Sequence, residues 1–88
     1  MKRVHVEVSG SVQGVFFRDS CRSEARSRGV AGWVRNTAEG AVEVELEGDD
    51  DAVDAMVEWC HTGPPRAEVE AVRTREVPPT GADRFEVH

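Results

Sequence analysis

Hydrophobic and polar residues alternate at the start of the chain and then give way to a helical pattern. Val4, Val6 and Val8 are each separated by a charged or polar residue, which is the two-residue period of a strand with one buried face. From Phe17 to Arg28 most residues are helix formers, and Gly29 follows as a natural stop. This part of the chain therefore predicts a strand, a turn and a helix.

The middle of the chain has the pattern of a hairpin followed by a second helix. Val30, Gly32 and Val34 share one parity, and after a turn at residues 37–40 the apolar positions 42, 44 and 46 alternate with glutamates. Three aspartates at 49–51 then precede apolar residues at helical spacing. Because acidic residues stabilise the amino terminus of a helix, we expect the second helix to begin there.

The remainder of the chain predicts two further strands. Gly63 and two prolines end the second helix, and the valines at positions 69, 72 and 77 mark an extended segment. The alternation is interrupted near Ala71, where we expect a β-bulge. A loop at residues 78–83 leads to a short final strand that contains Phe85 and Val87.

The predicted order of elements is strand, helix, strand, strand, helix, strand, with a short last strand. This is the order of the α+β ferredoxin-like βαββαβ sandwich, in which both helices cover one face of an antiparallel sheet. Residues 1–88 are expected to form this single domain. The uncovered face is predicted to carry a histidine and four glutamates, namely His5, Glu7, Glu43, Glu45 and Glu47.

The first loop contains a candidate anion site. Arg18 is predicted at or just before the amino terminus of the first helix, where unpaired N–H groups already carry partial positive charge. An arginine is unfavourable there unless an anion lies between them, and Gly14 allows the loop N–H groups to turn toward a tetrahedral phosphate. The alternative is that Arg18 is an ordinary surface arginine in water.

Asn36 is the second candidate. Asparagine is depleted in strands, yet Asn36 shares the parity of Val30 and Val34. On a strand its amide would need a polar partner and would be suited to orienting a water molecule. The alternative is that Asn36 lies beyond the strand end and caps the turn together with Thr37.

Other catalytic and metal-binding patterns are missing from the sequence. There is no zinc-protease HExxH, no nucleotide-binding P-loop, no CxxC and no supported Ser-His-Asp set. Cys60 and His61 are neighbours that would point about 100° apart on a helix, so a shared metal is not expected. We expect no metal and no cofactor.

Two segments resemble the signatures of the acylphosphatase family. Residues 10–18, with the sequence GSVQGVFFR, resemble the first signature throughout. Residues 32–36, GWVRN, with the glycines that follow at 40 and 48, resemble the second signature in residue type and spacing. The resemblance extends over essentially the whole chain. Arg28 departs from it, because an apolar residue is common at that helix position, and this bears on stability more than on mechanism.

The resemblance implies a metal-independent hydrolase that cleaves the carboxyl–phosphate anhydride of small-molecule acyl phosphates. It implies that Arg18 binds the phosphate and that Asn36 positions the nucleophilic water. The residues implied to bind the phosphate through backbone N–H groups are Gln13, Gly14, Val15, Phe16 and Phe17. The alternative is a non-catalytic accessory domain of the same fold that binds acyl or carbamoyl phosphate, as in hydrogenase maturation proteins.

The charge and composition of the chain limit which binding partners and which cellular compartment we expect. The net charge of −6 disfavours nucleic acid and anionic membranes. The amino terminus lacks a signal-peptide pattern and no apolar run is long enough for a membrane span. We expect a cytoplasmic monomer in which Cys21 and Cys60 are reduced thiols. Antiparallel packing of the two helices would bring these cysteines close together, which leaves an oxidised form as the alternative.

Overall fold

The computed structural model describes the complete chain, Met1–His88. Its elements are β1 (Lys2–Ser11), α1 (Phe17–Ser27), β2 (Ala31–Asn36), β3 (Val42–Gly48), α2 (Asp50–Thr62), β4 (Glu68–Val77) and β5 (Phe85–Val87). The strands form one sheet in the order β4-β1-β3-β2-β5. The predicted βαββαβ order is confirmed, with β5 added as a short edge strand.

The sheet is mixed. β1 pairs antiparallel with β3 and β4, and β2 pairs antiparallel with β3. β5, however, pairs parallel with β2, so the expected antiparallel pairing does not extend to this edge. The loop after β4 crosses one end of the sheet to the opposite edge and reverses the chain direction, which makes β5 run the same way as β2.

The predicted bulge lies at the end of β1 that leads to the first loop. Ser9 pairs with Ala71 and Gly10 pairs with Val69, so Glu70 is the extra residue on β4. Gly10 has φ 124°, and a Cβ at this position would lie 2.3 Å from the carbonyl oxygen of Glu68. Only glycine therefore allows the two strands to approach so closely here.

One face of the sheet packs against both helices. α1 lies against β2 and β5, and α2 lies against β1, β3 and β4. The alternating apolar side chains of β1 and β3 are buried, as the two-residue period predicts. Neither helix has the length and apolar character needed to cross a bilayer.

Two buried cysteines lie where the helices meet. Cys21 of α1 and Cys60 of α2 are both fully buried and both free thiols. A hydrogen bond with Cys60, together with burial, raises the pKa of the Cys21 thiol well above its usual value. Since the thiolate is the reactive form, the reduced Cys21 thiol is poorly reactive.

The uncovered face differs from the prediction at one residue. Four of the five expected side chains are partly exposed, and His5 lies within ion-pair distance of Glu43 and Glu45. Glu47, which we expected in solvent, is only 3% exposed. The backbone N–H groups of Thr80 and Gly81 donate to its carboxylate at 2.8 Å, because the loop after β4 folds over it. The prediction for Glu47 is therefore wrong.

Candidate functional site

The loop between β1 and α1, residues 12–16, is held in place by buried side chains at both ends. Val12 and Phe17 are 1% and 2% exposed, and the Phe17 ring lies 5.3 Å from that of Trp59, measured between centroids. Between these anchors Gly14 and Phe16 have left-handed backbone, with φ 73° and 62°. Turns of this kind make concave surfaces lined by main-chain N–H groups.

A run of backbone N–H groups in this loop has no partner within the protein. From Gln13 to Asp19 no main-chain N–H donates a hydrogen bond, and the first that does is Ser20, to the carbonyl oxygen of Phe16 at 3.0 Å. The run comprises the loop and the first turn of α1, whose N–H groups also carry the positive end of the helix dipole. These donors are suited to binding an anion.

Arg18 and Asn36 line one surface pocket of about 350 Å³ together with Gly14 and Phe16. The guanidinium of Arg18 makes one hydrogen bond, from Nη1 to the carbonyl oxygen of His88 at 3.2 Å. This bond fixes the side chain from one side and leaves its other donors available. The structure thus brings together the two side chains that the sequence singled out.

Asn36 is the last residue of β2 and pairs with Val42. The interpretation of Asn36 as a residue on the strand is therefore confirmed. The turn is held instead by Thr37, whose Oγ1 accepts a hydrogen bond from the N–H of Ala41 at 3.1 Å. The side-chain amide of Asn36 has no hydrogen-bond partner in the protein, so it can bind a ligand or a water molecule in the pocket.

Sequence reasoning missed the role of the Gln13 side chain. Its Nε2 donates to the carbonyl oxygens of Thr37 and Ala41, each at 2.9 Å. These bonds tie the loop to the β2–β3 hairpin. The two acceptors are 24 and 28 residues away along the chain, so no local sequence pattern predicts the contact. In the sequence, Gln13 is noticeable only as part of the GSVQGVFFR segment.

The pocket has few charged groups. Apart from Arg18, its one ionisable residue is Asp19, whose carboxylate lies 3.6 Å from the guanidinium of Arg22 one turn further along α1. Four apolar residues complete the lining: Val12, Phe16, Phe17 and Val87. Neither a histidine nor a cysteine lines the pocket, so thiol chemistry has no nucleophile here.

A second depression of about 360 Å³ lies on the uncovered sheet face. Its lining is His5, Glu7, Arg73, Thr74 and Arg75. The register pairs Glu7 with Arg73 directly across β1 and β4, so a carboxylate already lies beside the arginines. This surface has no loop N–H groups and no apolar wall, and it is less suited to an anion than the pocket at Arg18.

Comparison with known proteins identifies the family. The sequence matches the family model described as Acylphosphatase over residues 4–87. This chain belongs to the acylphosphatase family. An acylphosphatase from Rubrobacter xylanophilus is 59% identical over 87 residues, which cover 98% of this chain and 79% of that protein. The family predicted from the two signatures is thus confirmed.

Solved acylphosphatase structures share the fold. An acylphosphatase from Coxiella burnetii superposes with a TM-score of 0.95 at 40% identity, covering 99% of this chain and 92% of that one. An acylphosphatase from Bacillus subtilis gives a TM-score of 0.95 at 36% identity, covering 100% and 99%. In this acylphosphatase fold the two signature segments, far apart in sequence, meet at the pocket that contains Arg18 and Asn36.

Proposed function

We propose that this chain hydrolyses acyl phosphates to a carboxylate and inorganic phosphate. One observation carries the proposal: Arg18, Asn36 and a loop of unpaired N–H groups line the same pocket. Membership of the acylphosphatase family supports it. The pocket is shallow and exposed, which suits a reaction that needs positioning and charge stabilisation more than an enclosed cavity.

In this proposal the phosphoryl group lies in the loop. The guanidinium of Arg18 binds two phosphoryl oxygens in its planar fork, and the N–H groups of Gln13, Gly14, Val15, Phe16 and Phe17 bind the remaining charge. The hydrogen bond from Arg18 to His88 holds the fork in one orientation. These donors act on the negative charge that the phosphoryl oxygens carry through the transition state.

Asn36 is proposed to place the attacking water. An amide can accept one hydrogen bond from the water and donate another to a phosphoryl oxygen. The water oxygen attacks phosphorus, and the bond from phosphorus to the acyl oxygen breaks with its electron pair on the departing carboxylate. A carboxylate is a good leaving group and needs no protonation. The water proton goes to solvent or to the substrate's phosphate, so no bell-shaped pH profile from a protein acid and base is expected.

We further propose that residues 1–88 act as a single domain, as a monomer in the cytoplasm, without a metal or cofactor. The proposed chemistry draws on a guanidinium, main-chain N–H groups and an amide, which supports independence from metals.

The test is hydrolysis of benzoyl phosphate by the purified protein, with and without a chelator and with inorganic phosphate as competitor. We expect turnover that the chelator does not change and that phosphate inhibits competitively. Glu58→Gln serves as a control and should keep its turnover, since Glu58 is an exposed residue of α2 that does not line the pocket. If the protein binds phosphate but does not hydrolyse benzoyl phosphate, the proposed enzymatic activity is wrong and an accessory binding domain is favoured.

A further inference from the structure

Two unfavourable features coincide at Phe16. It is the one residue other than glycine with a left-handed backbone, with φ 62° and ψ 24°, a conformation that costs roughly 1–2 kcal/mol for such a residue. Its side chain is also 69% exposed, and the other large hydrophobic residue so exposed is Met1 at the chain start. A strained backbone that holds an aromatic ring in water suggests that the ring has a use outside the core.

The neighbouring Phe17 shows that the fold does not need the Phe16 ring for packing. Phe17 is 2% exposed and belongs to the hydrophobic core. Phe16 is neither in the core nor among the partly buried residues that pack against it. Its apolar surface is therefore available to a ligand.

The Phe16 ring lines the pocket that contains Arg18 and Asn36, and Val87 of β5 lines it too. The lining of the pocket thus combines two chemistries. The guanidinium, the amide and the loop N–H groups are polar, and the Phe16 ring and the Val87 side chain are apolar. An acyl phosphate has the same division, with a charged phosphoryl group joined to an acyl group.

We propose that Phe16, together with Val87, forms a contact surface for the acyl group, and that the chain prefers substrates with apolar or aromatic acyl groups to acetyl phosphate. This inference rests on the proposed function, because it assumes that the phosphoryl group lies at the loop. With that group in place, the acyl end must extend toward the pocket rim, and the Phe16 ring provides apolar surface there.

Two variants separate the ring from the loop backbone. Phe16→Asn removes the aromatic ring and keeps a residue that tolerates left-handed backbone, whereas Phe16→Tyr keeps the ring. For each protein we would measure kcat/KM for benzoyl phosphate and for acetyl phosphate and take the ratio. Any change that the loop imposes equally on both substrates cancels in this ratio, and the different intrinsic reactivity of the substrates cancels when the ratio of a variant is compared with that of the wild type.

We expect the ratio to fall roughly tenfold in Phe16→Asn, mainly through a higher KM for benzoyl phosphate, since one apolar contact in an open pocket has effects of about this size. Phe16→Tyr should keep the wild-type ratio, and Val87→Thr should show a smaller fall. An unchanged ratio in Phe16→Asn overturns the inference, because the Phe16 ring would then make no contact with the acyl group that affects substrate preference.

A binding measurement keeps the inference testable without turnover. Calorimetry with benzoylphosphonate and acetylphosphonate should show tighter binding of the benzoyl compound to the wild type, and Phe16→Asn should lose that preference. If the wild type and Phe16→Asn show the same preference for the benzoyl compound, the proposed role of Phe16 is wrong. If the proposed function itself is wrong, neither acyl phosphate is hydrolysed. The calorimetric comparison of the two phosphonates still measures whether Phe16 contacts the acyl group.

Discussion

The side-chain nitrogen of Gln13 lies 2.9 Å from the carbonyl oxygen of Thr37. Gln13 belongs to the run of unpaired loop N–H groups, and Thr37 directly follows Asn36. The same nitrogen also donates to Ala41 across the hairpin turn. One amide therefore fixes the distance between the proposed phosphate loop and the residue proposed to position water.

Replacing Gln13 should affect turnover more than phosphate binding. In Gln13→Ala we expect kcat to fall about tenfold, because small errors in the placement of water relative to phosphorus are costly. The inhibition constant for inorganic phosphate should change much less, since the loop N–H groups remain. Gln13→Glu keeps the size of the side chain, but its carboxylate cannot donate to the two carbonyl oxygens, so kcat should fall in this variant too. A kcat within twofold of the wild type in both variants would contradict the role of Gln13.

Arg18→Lys tests the guanidinium. A lysine keeps the positive charge but cannot make the planar two-point contact with phosphate. We expect a folded protein that loses most of its activity, with circular dichroism unchanged, because the Arg18 side chain is exposed and makes one hydrogen bond. Arg22→Lys, one turn further along α1, is the control and should stay close to wild-type activity. Near-normal turnover in Arg18→Lys would rule out the proposed role.

Asn36→Ala tests the proposed placement of water. We expect turnover to fall by about 10²-fold or more, the scale of lost positioning. Competitive inhibition by inorganic phosphate should remain, because the amide is not the main phosphate ligand. If phosphate inhibition disappears together with turnover, Asn36 acts on the structure of the pocket and the proposed role is wrong.

Glu47→Gln should destabilise the fold in a pH-dependent way. The hydrogen bonds from Thr80, Arg3 and Gly81 lower the pKa of Glu47 from 4.5 to about 2. The stabilisation by the carboxylate is therefore complete above about pH 4.5 and is lost as the pH falls toward 2.

At pH 7 we expect Glu47→Gln to lower the free energy of unfolding by about 3 kcal/mol, since it breaks a buried ion pair. Urea unfolding at pH 7 and at pH 3 measures this difference, which should shrink at the lower pH. Glu58→Gln, on an exposed glutamate of α2, is the control and should change stability little. A difference that does not depend on pH would contradict the assigned cause.

Periodicity was sufficient for the features that depend on local sequence. The alternation of Val4, Val6 and Val8 predicted a buried face of β1, and the interruption near Ala71 predicted the bulge. Arg18 was placed at the helix start because the residue types change at Phe17. In each case the physical cause lies within a few residues of the feature.

Features that depend on distant parts of the chain were not predictable. Glu47 has the same alternation as Glu43 and Glu45, and it is buried only because a loop some 33 residues further along folds over it. The three residues of β5 contain no information about strand direction, so its parallel pairing with β2 could not be foreseen. The hydrogen bonds of Gln13 likewise depend on how the hairpin meets the loop.

The most direct test of the central claim is a titration of the ¹⁵N-labelled protein with inorganic phosphate, followed by two-dimensional NMR. The account predicts saturable shifts of the main-chain amides from Gln13 to Phe17, of the Arg18 side chain and of the Asn36 side-chain amide. Shifts that instead concentrate at Arg73 and Arg75 on the uncovered sheet face, with the loop amides unchanged, would contradict it.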